Sequence, residues 1–89
     1  MSKTVLITGT SSGFGKLAAI TLASAGYQVA ATMRNSQTKN FAVANELAQI
    51  PNVIVMDMDV VDEASVNNAV EQIIRTFGTI DVVVNNAAV

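Results

Sequence analysis

Apolar residues follow two rhythms along this chain. Thr4–Thr8 (TVLIT), Gln28–Met33 (QVAATM), Val53–Met56 (VIVM) and Asp81–Val84 (DVVV) are short runs without polar/apolar alternation. Such runs read as strands buried on both faces. Between them, apolar positions recur every three or four residues, the spacing of helices packed on a sheet. Lys16–Ala25 (KLAAITLASA) predicts a first helix, rich in small residues that permit close packing, with Gly26 placed to end it. Thr38–Ile50 predicts a second, with Phe41, Ala44, Leu47 and Ala48 on one face and Pro51 as its stop. Asp62 suits the N-cap of a third helix, in which Val66, Ala69, Val70, Ile73, Ile74 and Phe77 form an apolar stripe before Gly78.

Strands alternating with helices imply an α/β fold: a parallel sheet, right-handed crossovers, helices on both faces. The expected strand order is 3-2-1-4, with the first strand interior and the fourth at an edge. An apolar edge is a liability that folds usually cover. The fourth strand is therefore expected to have neighbours that residues 1–89 do not supply.

Composition narrows the chemistry. Eighty-nine residues make at most one small domain, and 51% hydrophobic against 13% charged residues rules out a disordered segment. The chain has no cysteine and no histidine. Disulfides, thiolate nucleophiles and imidazole bases or ligands are excluded. A formal charge of −2 gives no footprint for nucleic acid or an anionic membrane. The N-terminal apolar run is too short for a signal peptide and no stretch approaches a membrane span, so a cytoplasmic protein is expected.

Thr8-Gly9-Thr10-Ser11-Ser12-Gly13-Phe14-Gly15 lies between the first strand and the first helix. Gly9 permits a tight turn, Gly13 lets backbone approach a diphosphate, and Gly15 lets the helix pack close to the sheet. The helix N-terminus then offers N–H donors to an anion. A Walker-type loop fails on spacing, because five residues separate Gly9 from Gly15 and Leu17 follows Lys16. The G-x-G-x-x-G fingerprint fails as well, broken by Thr10-Ser11. The remaining alternative is a flexible turn with no ligand.

The Thr-Gly-x-x-x-Gly-x-Gly spacing resembles that of the short-chain dehydrogenase/reductase family. The resemblance runs through the whole chain, with Asp59-Val60 after the third strand and Asn85-Asn86-Ala87-Ala88 where the family has Asn-Asn-Ala-Gly. It implies a Rossmann-type doubly wound sheet that binds a nicotinamide dinucleotide. It also implies a cofactor site built from Gly9, Ser11, Ser12, Gly13, Phe14 and Gly15 along the ribose and diphosphate. Asp59 and Val60 would hold the adenine, and Asn86 and Ala87 would line the inner cleft.

Enzymes of the non-phosphorylated cofactor place Asp or Glu at the end of the second strand. Here Met33 stands there, followed by Arg34. A guanidinium can bind a 2′-phosphate through paired charge-assisted bonds, so NADP is expected in preference to NAD. The alternative is that Arg34 is an ordinary surface arginine. A metal reading of Asp57, Asp59 and Asp62 is set aside, since no histidine accompanies them and Asp62 serves better as a helix cap.

Family members reduce carbonyls or oxidise alcohols with a Tyr-x-x-x-Lys pair and a serine, all beyond the Asn-Asn-Ala-Gly motif. Tyr27 is the single tyrosine and Ala31 follows it by four, so no catalytic residue is assigned. Residues 1–89 are expected to be the cofactor-binding portion of one such domain, truncated before the catalytic region, in a parent that forms homo-oligomers. The rival expectations are a non-catalytic nucleotide-binding module and a half-sheet that self-associates through its fourth strand.

Overall fold

The computed structural model describes residues 3–11 and 13–86. Four strands, β1 (Thr4–Ile7), β2 (Gln28–Met33), β3 (Val53–Asp57) and β4 (Val82–Val84), alternate with helices α1 (Gly13–Ser24), α2 (Phe41–Ala48) and α3 (Glu63–Phe77). The strands form one sheet in the order β3-β2-β1-β4, every pair parallel. The α/β class and the 3-2-1-4 order expected from the pattern are what the chain adopts.

Side-chain alternation along the strands sorts the core into two layers. Val5, Ile7, Val29, Ala31, Met33 and Val53 point to one face, where Ala19 and Ala23 of α1 and Ala44 and Leu47 of α2 cover them. Leu6 and Ala30 point to the other face and meet Ile73 of α3, with Ile54, Met56, Val70, Phe77 and Ile80 around them. Burying side chains such as Leu47 or Ile73 completely contributes about 1.5–3 kcal/mol each. The alanines on the inner face of α1 let that helix lie close to the sheet.

Helix ends follow local chemistry, with two departures from the pattern. α1 starts at Gly13, three residues before the periodic stretch, because Gly13 and Gly15 have no side chains to mark its rhythm. α2 is shorter at both ends than Thr38–Ile50. The amides of Thr38 and Asn40 both donate to the Asn35 carbonyl, which spends residues 35–40 on a turn. At the other end Gln49 and Ile50 bond back three residues, to Glu46 and Leu47, tightening the chain before Pro51. α3 begins as expected: the Asp62 carboxylate accepts from the amides of Ala64 and Ser65. It stops at Gly78, in the left-handed conformation.

β4 is incompletely covered on both faces, with Val84 alone of its residues packed against the core. Val82 lies in register with Val5 and Val83 with Leu6, so the two project to opposite sides of the sheet. They remain 43% and 59% exposed. No helix among the described residues is long and apolar enough to cross a membrane.

Candidate functional site

All four strands run parallel, so their C-terminal ends share one edge of the sheet. β1 and β4 are adjacent there, yet their crossovers depart to opposite faces: α1 follows β1 on one side, and α3 precedes β4 on the other. Ligands of open α/β sheets bind in the crevice created by such a reversal. The residues singled out in the sequence converge on this edge. Gly9, Ser11, Gly13, Phe14 and Gly15 form the β1–α1 turn, Arg34 follows β2, Asp59 and Val60 follow β3, and Asn86 follows β4. Ser12 and Ala87 lie outside the described residues.

The turn has a closed floor and an open crest. A Cβ built on Gly15 would lie 2.2 Å from the Gly9 carbonyl oxygen and 2.7 Å from Asn86 Nδ2. Only glycine allows α1 to start this close to the end of β1. Above it, a Cβ on Gly13 would meet nothing within 4 Å. The crest is thus bare backbone facing free space, at the end of a helix whose first N–H groups have no intrahelical acceptor. Gly13 has φ +60° and Gly9 φ +69°, a region that other residues enter at a cost. Phe14 is 67% exposed, so its ring is not part of the core.

Buried hydroxyls hold the turn in place. Thr10 is fully buried, and its amide and hydroxyl both donate to the Thr32 carbonyl, at 3.1 and 3.0 Å. The Thr32 hydroxyl donates in turn to the Ile7 carbonyl at 2.9 Å. On the other side, the Thr8 hydroxyl accepts from the Asn86 amide at 2.9 Å and donates to Asn85 Oδ1 at 3.1 Å. Asn86 Nδ2 reaches the Gly9 carbonyl at 3.2 Å. β2 and β4 therefore clamp the glycine turn from both flanks. The sequence reading gave Thr10 and Thr32 no part in this. Their signal was faint: polar residues within or just beyond strands otherwise apolar on both faces.

The β3 end of this edge is shaped by α3 and the β2–α2 turn. Ser65 Oγ accepts from the Asp59 amide at 3.0 Å, and Asp59 Oδ1 accepts from the Val61 amide at 3.1 Å. Arg34 is exposed, with its carbonyl held by Asn40 Nδ2 at 2.6 Å. Among the described residues the ion pairs are Lys16–Glu46 and Arg75–Glu71, so the Arg34 guanidinium is unneutralised.

A family model described as short chain dehydrogenase matches residues 3–89. The chain belongs to the short-chain dehydrogenase family. Its relatives within that family include the 3-oxoacyl-[acyl-carrier-protein] reductase FabG of Staphylococcus aureus, 36% identical over all of this chain and 37% of the relative. The NADPH-dependent pterin aldehyde reductase of Arabidopsis thaliana is 38% identical over 97% of this chain and 35% of that protein. Among solved structures, menthone neomenthol reductase from Mentha piperita superposes with a TM-score of 0.88 at 28% identity, over all of this chain and 32% of its own. The 3-ketoacyl-(acyl-carrier-protein) reductase of Brucella melitensis complexed with NADH gives 0.80 at 34% identity, over 91% and 32%. This short-chain dehydrogenase chain thus spans about a third of the length of these proteins.

Proposed function

We propose that these residues form the NADP(H)-binding part of a short-chain oxidoreductase that transfers a hydride between nicotinamide and a carbonyl or alcohol. One observation carries the reading: the bare crest at Gly13, set on the N-terminus of α1, above a floor that only Gly15 permits. A diphosphate fits this cradle by charge and by shape. Ser11, Ser12, Gly13, Phe14 and Gly15 would contact it largely through backbone, with Gly9 shaping the start of the turn. Asp59 and Val60 would meet the adenine, while Asn86 and Ala87 would line the inner cleft. The bound nicotinamide supplies the hydride donor or acceptor; these residues bind and orient it.

The choice of NADP over NAD rests on Arg34, an exposed and unneutralised cation following a strand that ends in Met33 instead of a carboxylate. Titration with NADPH and NADH tests it. NADPH is expected to bind more tightly by about tenfold, and Arg34→Asp to reverse the order. An Arg34→Asp protein that keeps the wild-type preference overturns the assignment.

Proton transfer belongs, in this reading, to residues other than those described. Tyr27 packs against the α1-side core beside the N-terminal end of β2, at the sheet edge opposite the glycine turn. It lies out of reach of a substrate at the nicotinamide. Residues 1–89 are accordingly the cofactor half of a larger domain, a reading supported by the uncovered Val82 and Val83 and by the third of their relatives' length that they span.

A further inference from the structure

β3 runs one residue past its apolar stretch and ends at Asp57. Asp57 is the register partner of Met33, the last residue of β2. A carboxylate missing from the end of β2 thus arrives from the neighbouring strand at the same level of the sheet. It is fastened there. Asp57 Oδ1 accepts from the Ser36 amide at 2.8 Å, and the Met58 amide donates to the Met33 carbonyl at 2.9 Å. Ser36 is buried, and Asn35 before it takes φ +58°, so the β2–α2 turn folds Ser36 onto Asp57 just two residues beyond Arg34.

Nothing nearby cancels the charge. Arg34 and Asp57 are not an ion pair, and neither joins the two ion pairs among the described residues. Asp57 lines a groove of about 530 Å³ together with Ser36, Gln37, Asp62, Ser65 and Asn68, with no lysine or arginine in its wall. The strand ends that would receive the 2′ position of the adenosine ribose therefore present one cation, Arg34 after β2, and one anion, Asp57 at the end of β3, in no ion pair with each other.

We propose that Asp57 is a specificity-determining residue, whose negative charge opposes the 2′-phosphate that Arg34 favours. The inference rests on the NADP(H) reading given above. Discrimination between the two dinucleotides is then a difference between two opposed interactions and is smaller than Arg34 alone would give. Because Asp57 is exposed, its repulsion acts through water and is modest and sensitive to salt.

Asp57→Asn separates charge from bracing, since the amide oxygen still accepts from the Ser36 N–H. With NADPH and NADH titrated in parallel, the ratio of their Kd values is expected to shift about fivefold toward NADPH at an ionic strength of ~10 mM. The shift should shrink toward unity at ~1 M salt, where the screening length falls to about 3 Å. A merely structural Asp57 gives another pattern: Asp57→Asn leaves the ratio unaltered, and Asp57→Ala weakens both dinucleotides alike. That pattern overturns the inference. Arg34→Ala is the control for the underlying reading. If it moves the ratio while Asp57→Asn does not, Asp57 alone is wrongly assigned. If it leaves the ratio unaltered, the Arg34 reading falls, and a wild-type protein that binds neither dinucleotide sinks both.

Discussion

A methyl group at position 15 would sit well inside van der Waals contact distance of a backbone oxygen, and that oxygen cannot rotate away as a side chain could. Relieving the overlap at Gly15 requires the start of α1 to move off the end of β1. The same movement breaks the bond from Asn86 Nδ2 to the Gly9 carbonyl. Gly15→Ala is therefore expected to cost about 3 kcal/mol or more in urea denaturation and to abolish dinucleotide binding. A variant with wild-type stability would refute the packing account. The role of this glycine was legible from its spacing alone. The threonines that clamp the turn were not, because their partners stand 22 to 78 residues away in sequence. A hydroxyl gives no local hint of a carbonyl on another strand.

Elements were easiest to read where their ends carry chemistry of their own. α3 combines a capping aspartate, a full apolar stripe and a terminal glycine, and it spans the residues that the pattern gives. Asp62→Ala removes the acceptor for two amides and should lower stability by about 1 kcal/mol, measured as a fall in urea midpoint with an unaltered m-value. No loss at all would mean that water caps this helix equally well. α2 has no side-chain cap at Asn40, whose amide group is spent on the Arg34 carbonyl instead. Its start was misplaced for that reason: Asn40 serves the turn before the helix. α1 was misplaced for another, since a helix opening on glycines leaves no periodic trace. In both cases the sequence pattern failed at the C-terminal edge of the sheet, where backbone geometry is set by turns and not by burial.

At the scale of the molecule, the two edges of the sheet differ in how well their side chains are covered. β3 and β4 are both edge strands, but Val53 of β3 is buried, whereas β4 offers exposed Val82 to one face and exposed Val83 to the other. Such an edge invites pairing with another chain. The 89-residue chain is expected to self-associate at tens of micromolar, and Val83→Lys to lower the weight-average mass in sedimentation. A monodisperse wild-type monomer would contradict this.

The placing of β4 also sets a chronology. β1, β2 and β3 can pair as soon as the first 57 residues have left the ribosome, with the glycine crest already in hand. The clasp between Thr8 and the Asn85–Asn86 pair spans separations of 77 and 78 residues, so it must await the translation of Asn86. The glycine turn is thus begun by β1 and fastened only once β4 has followed.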